Sequence, residues 1–164
     1  SSAYHLPGCR QGGHVSTIDV PALTTRIGGE IGVSGWFQIT QERVDAFADA
    51  TLDHQWIHQA GPRADAGPFG GPIAHGYLTL SLLPHLMGGL PPLVENRRLA
   101  VNYGLDRVRF ISPVRVGSRV RARAVLAGVE PIEGGVQVKI AVTVEVEESP
   151  RPAAAVETLT RLYG

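Results

Sequence analysis

From Val136 to Val146 every second residue is aliphatic: Val136, Val138, Ile140, Val142, Val144 and Val146 alternate with Gln137, Lys139, Ala141, Thr143 and Glu145. Successive side chains of a strand point to opposite faces, so this run fits a long β-strand with one face buried and the other wet. The same period appears upstream, where Val120, Ala122 and Ala124 alternate with Arg119, Arg121 and Arg123. Glu133-Gly134-Gly135 lies between the two runs and is a hairpin signal. The period-two region begins near Arg98, and residues 153–162 read as a final strand. Four or so antiparallel strands with a common apolar face need something to cover it.

The segment suited to cover it is 74–87. Tyr77, Leu78, Leu80, Leu82, Leu83, Leu86 and Met87 leave almost no polar face, and a helix apolar nearly all round is a buried one. Pro84 is expected to bend or thin its last turn, and Gly88-Gly89-Leu90-Pro91-Pro92 to end it. Upstream, Glu30 to Ile39 reads as a strand with glycine interruptions and a bulge. Thr40 is a good N-cap, and Val44, Phe47 and Ala48 fall at helical spacing, so 41–51 is an amphipathic helix. A further helical turn or two is expected over Gln59–Ala66, before the irregular Gly67-Pro68-Phe69-Gly70-Gly71-Pro72. One buried helix wrapped by a curved antiparallel sheet, with a helical overhang before it, is the economical packing: α+β, not doubly wound. Residues 1–25 read as an irregular N-terminal lead (a processed end, a poorly defined start or an added remnant) and 26–164 as a single domain without internal repeats.

Composition narrows the function classes. Charged residues make up 18% of the chain, against about 25% in a typical domain, which suits an oligomer that hides part of its surface. The net charge is zero, so nucleic-acid binding through bulk charge is not expected. Cys9 is the only cysteine, which leaves no intrachain disulfide. No apolar run of about 18 residues is present to span a membrane, and the N-terminus lacks a signal-peptide pattern. The expected location is the cytoplasm, without a membrane partner.

The chemistry concentrates in Leu52-Asp53-His54-Gln55-Trp56-Ile57-His58 and in Ile73-Ala74-His75-Gly76-Tyr77. A carboxylate next to an imidazole can share one water, the first orienting it and the second accepting and returning its proton near neutral pH. Taken alone, Asp53 and His58 at this common spacing are more often a turn cap and an ordinary histidine. Gly76 stands near the start of the buried helix, where amides lack helical partners and can hold an oxygen that gains negative charge; alone, it reads as a glycine needed for close packing. His54-x3-His58 has metal-ligand spacing, and Asp53 and His75 could complete a set. But His54 follows Asp53 directly in an irregular segment, so no metal is expected. The arginines at 97, 98, 107, 109, 115, 119, 121 and 123 read mainly as solvated strand faces. One or two of them could meet phosphates of a large anionic group.

These runs, with Asn102-Tyr103-Gly104, Val108-Arg109-Phe110 and Pro113-Val114-Arg115-Val116-Gly117, resemble the MaoC-like dehydratases, the (R)-specific enoyl-CoA hydratases, over roughly residues 30–162. The resemblance implies a hot-dog fold with the apolar helix at its centre and a homodimer with active sites near the interface. It implies an acyl-CoA thioester substrate, with CoA as part of the substrate and no separate cofactor. Asp53 and His58 would hold the water that adds to C3 of a trans-2-enoyl-CoA to give an (R)-3-hydroxyacyl-CoA. The Gly76 amide would hold the thioester oxygen as an oxyanion hole. Gln55, Trp56, His75 and Tyr77 are the expected substrate contacts. A hot-dog thioesterase and an inactive acyl-CoA binding or assembly subunit are the alternatives on the same fold. The usual family motif reads Gly-Asp-x-Asn-Pro-hydrophobic-His, and here Leu52, Gln55 and Trp56 replace its glycine, asparagine and proline. Those changes bear on chain-length preference and efficiency more than on the reaction.

Overall fold

The computed structural model describes residues 18–164. Cys9 and the rest of residues 1–17 lie outside the described residues. Helix α1, Val20–Thr24, has Asp19 as its N-cap, whose carboxylate accepts from the Ala22 amide. Leu23 is buried in the core, so the irregular lead expected over 1–25 ends before α1. The signal was Asp19 followed by Pro21, a cap and a first-turn proline.

Next come β1 (Glu30–Val33), β2 (Phe37–Gln38) and helix α2 (Gln41–Thr51), capped by Thr40. A 3-10 turn over Trp56–His58 and a single-turn helix α3, Pro62–Asp65, complete the overhang. The central apolar segment forms α4 (Gly76–Ser81) and α5 (Leu83–Gly88) rather than one helix. Leu82 between them keeps right-handed helical angles, so the axis continues. The break comes from Pro84, which has no amide to offer the Leu80 carbonyl.

Four long strands follow: β3 (Leu99–Phe110), β4 (Arg119–Ile132), β5 (Gly135–Val146) and β6 (Ala154–Tyr163). The antiparallel sheet runs β1-β4-β5-β6-β3, with β2 also on β4. The β4–β5 hairpin turns through Glu133 and Gly134, the latter at φ +75°, where glycine is favoured. Alternation holds as read: Val120, Ala122 and Ala124 of β4 and Val136 to Val144 of β5 are buried at every second position. They pack with Leu78, Leu82, Leu83 and Leu86 of the central helices in one core. The expected α+β hot-dog architecture is what the chain adopts.

The central helix is not buried all round. Tyr77, Ser81, Pro84, His85 and Gly88 form an exposed stripe at helical spacing. Strand β3 departs from alternation as well. Its pairing with β6 skips Tyr103 and Asp106, which are bulged. It is an edge strand, and Leu99, Val101, Tyr103, Leu105 and Phe110 are each at least 37% exposed.

Candidate active site

Helix α2 ends at Leu52, which takes a left-handed conformation at φ 62°. That residue turns the chain out of the helix and delivers Asp53 beside the N-terminus of α4. The 3-10 turn then brings His58 back inward, where its ring is buried. Two long-range ties hold the segment. The Gln41 side chain donates to the His58 carbonyl at 2.8 Å and to Asp45 at 2.8 Å. The Ile73 amide donates to the Ile57 carbonyl at 2.9 Å.

His58 Nδ1 lies 2.8 Å from the Ile73 carbonyl. A carbonyl only accepts, so Nδ1 carries the proton and Nε2 is left as a lone-pair acceptor. Burial, first among the influences, holds this imidazole below its ordinary 6.5; the bond to Ile73 and the Asp53 charge oppose that, and neighbouring His75 reinforces it. His58 is thereby kept neutral and ready to accept a proton. The Asp53 carboxylate is exposed and takes only a long 3.4 Å contact from the Gln55 amide, so its acceptor capacity is largely free. Donor atoms of Asp53, His58 and His75 all lie within 4.8 Å of one another.

His75 is 2% exposed. Its ring stacks on His58 with centroids 3.6 Å apart and 22° between planes, and packs at 4.9 Å against Phe47. Nε2 donates to the Asp53 carbonyl at 3.0 Å. Nδ1 is buried without a partner among the described residues. One side chain thus touches both Asp53 and His58 and immediately precedes Gly76. Near-parallel stacked imidazoles aim their in-plane lone pairs side by side rather than at one point, so the trio is poorly arranged to share a tetrahedral ion. His54 is outside the cluster, 3.6 Å from Asp49.

Gly76 opens α4. The Leu78 and Thr79 amides both turn back to the His75 carbonyl, which leaves the Gly76 and Tyr77 amides as the partnerless first donors of the helix. A Cβ on Gly76 would stand 2.9 Å from ring atoms of Phe110. Only glycine fits that approach without displacing the ring. Tyr77 is 69% exposed and sits edge-on to Phe110, with centroids 6.0 Å apart.

The remaining residues expected at the site divide. Gln55 is exposed beside Asp53. Trp56 packs within the overhang: the Arg63 guanidinium lies 4.6 Å over its ring, and a Cβ on Gly67 would touch it at 3.0 Å. Those contacts stiffen the overhang. Arg119, Arg121 and Arg123 are paired with Glu147, Glu145 and Glu30 on the outer sheet face. Gln41 and Phe110 were not foreseen as site residues. Gln41 had only its position next to the Thr40 cap to mark it, and Phe110 had no local signal.

A family model described as the MaoC like domain matches residues 22–148. The chain belongs to the MaoC-like dehydratases. As a member, it is a hydro-lyase by class. It is 52% identical over 143 residues to 3-hydroxyacyl-thioester dehydratase Z of Mycobacterium tuberculosis, covering 87% of this chain and 94% of that protein. It is 47% identical over 148 residues to nodulation protein N of Rhizobium leguminosarum bv. viciae, covering 89% and 90%. Among solved structures, the (R)-hydratase from A. caviae involved in PHA biosynthesis superposes with a TM-score of 0.67 at 22% identity, covering 83% of this chain and 96% of that one. That likeness carries the fold. Among the described residues no helix is long and apolar enough to cross a membrane.

Proposed function

We propose that this MaoC-like protein reversibly hydrates trans-2-enoyl-CoA thioesters to (R)-3-hydroxyacyl-CoA, with Asp53 and His58 as the catalytic residues. The observation that carries this reading is the His58 tautomer: the proton is fixed on Nδ1 by Ile73, so a neutral, buried acceptor faces the same small space as the free Asp53 carboxylate. In the hydration direction, one water donates to both groups. As its oxygen bonds to C3, its proton passes to His58 Nε2 and the C2–C3 π electrons move toward the thioester. The Gly76 amide holds the thioester oxygen while it carries that charge. The proton then returns to C2, and no net charge is left on the protein. Helix α4 has only six residues, so the bare amide matters here more than a helix dipole.

Two features support a homodimer as the working form. The outer edge of the twelve-residue β3 has no partner strand among the described residues, and Phe110 at its end meets Tyr77 of the exposed helix stripe. An edge this long and greasy is normally covered. Of the eight arginines in the basic region, Arg98 and Arg107 make no ion pair or side-chain hydrogen bond among the described residues, which makes them the candidates for CoA phosphates.

The test is loss of the enoyl-thioester absorbance on adding crotonyl-CoA. Asp53→Asn and His58→Ala should each slow it by about 10²-fold or more, with an unchanged circular-dichroism spectrum. Undiminished turnover in both variants would remove the dyad assignment. Free thiol released at the same rate would point to a thioesterase instead.

A further inference from the structure

A cavity of about 650 Å³ lies between the central helix and the inner face of β3, β5 and β6, a size suited to a small ligand. Leu80 and Met87 are on its helix side, and at 1.5 Å per residue they stand about 6 and about 16 Å beyond Gly76 along the axis. The cavity therefore runs away from the site of chemistry, where the far part of an acyl chain would extend.

Its wall is not uniformly apolar. The inward positions of β5 are Val136, Val138, Ile140, Val142 and Val144. On β6, however, Thr158 and Thr160 pair with Ile140 and Val138 and so face inward too. On β3, Asn102 pairs with Thr160. Three polar side chains are thus adjacent on a face that elsewhere is aliphatic, and all three line the cavity. Asn102 is exposed and Thr158 and Thr160 are half-buried, so water reaches them until a ligand enters; a ligand that displaces that water without replacing its hydrogen bonds does so at a cost in free energy. The Thr158 hydroxyl has only a long 3.5 Å contact with the Ile140 carbonyl. Among the described residues, the Thr160 and Asn102 side chains hydrogen-bond to nothing in the chain.

The bulges of β3 belong to the same arrangement. Strict alternation would put Asn102 and Leu105, three apart, on opposite faces; the extra residue Tyr103 lets both face the cavity. Both bulged residues have partners of their own, Tyr103 at the cavity's edge and Asp106 away from it. The Arg161 guanidinium lies 3.5 Å over the Tyr103 ring, and Lys139, the only lysine, pairs with Asp106.

We propose that Asn102, Thr158 and Thr160 form a receptor for an oxygen atom, hydroxyl or carbonyl, borne by the acyl chain well away from its thioester, so that the favoured substrates are acyl thioesters oxygenated in their distal part. This rests on the hydratase reading above, which puts the thioester at Gly76; the cavity then gives the acyl chain room along the helix. A hydroxyl meets both a donor and an acceptor in the Asn102 amide and finds two further hydroxyls beside it. A plain alkyl chain would leave all three groups facing methylenes, which a site built for hydrogen bonding penalises.

Calorimetric titration tests it on the intact protein, with a medium-chain saturated acyl-CoA and its ω-hydroxy counterpart as probes, because neither requires turnover. The hydroxylated probe should bind about tenfold more tightly to the unaltered protein. In Asn102→Leu/Thr160→Val that preference should fall below about twofold while affinity for the plain chain holds or rises. The nearly isosteric Thr160→Val alone should lower the preference part-way, and it serves if the double variant does not fold. Equal binding of the two probes, a preference that survives in the variants, or binding of neither probe would overturn the receptor. Crotonyl-CoA, too short to reach the threonines, is assayed alongside. If it is not hydrated, the hydratase reading fails, while the binding preference still decides the receptor.

Discussion

Leu52 occupies a position that a glycine would take more easily. Its φ of 62° closes helix α2, and its side chain is 82% exposed, so little packing offsets the crowding of Cβ against the backbone. Leu52→Gly is expected to raise stability by about 0.5–1 kcal/mol, and the melting temperature by roughly 2–4 °C, in a thermal scan. At His58 the prediction concerns pH. Burial, its largest influence, holds its pKa below 6.5, so the base stays neutral as pH falls past that value. The acid limb of kcat/KM should therefore lie below 6.5; a limb above it would count against His58 as the base. Stability follows the same sign: the unfolded chain takes up the proton near 6.5 and the folded chain only at lower pH. The contribution is full above 6.5 and lost as pH falls from there through the lowered value. Urea midpoints of the protein and of His58→Gln, measured on both sides of 6.5, should converge toward acid pH. That Asp53 and His58 come together and that Gly76 opens the central helix was legible in the sequence, because their spacing and neighbours carry a pattern. The double tie of His75 was not, since its stack on His58 and its bond to the Asp53 carbonyl join positions 15 or more residues apart.

At the scale of elements, the strands were read most securely where alternation was strict, in β4 and β5. The outer face of that hairpin carries a small ion network in which Glu145 receives Arg123 at 2.9 Å and Arg121 at 2.6 Å. Arg123 first, then Arg121, hold its carboxyl below the ordinary range. Glu145→Gln should cost up to about 1 kcal/mol in a denaturant titration, and less in high salt, as partly exposed pairs do. Alternation gave no guide in β3, because Tyr103 and Asp106 each shift the period by one. The central helix was legible as apolar and as disturbed at Pro84, but not as exposed along Tyr77, Ser81 and Pro84. Its composition reports hydrophobicity, not whether the covering surface comes from its own chain.

At the scale of the molecule, the β3 edge and the exposed helix stripe predict self-association. Val101→Lys, on the outer face of the edge and 37% exposed, should shift the protein toward monomer in analytical ultracentrifugation. An unaltered sedimentation coefficient would argue for a different interface. The proposed catalytic groups and the cavity occupy separate stretches of chain: residues 53–76 carry the carboxylate, the imidazoles and the amide, whereas the cavity wall comes largely from residues 80–162. Reactivity and fit can then vary independently, with Ile73 and Gln41 keeping the first in register while the second is recast. The receptor positions on β3 and β6 could accordingly be exchanged between relatives as a block, so that a library confined to those two strands would explore new substrates on an unaltered reaction.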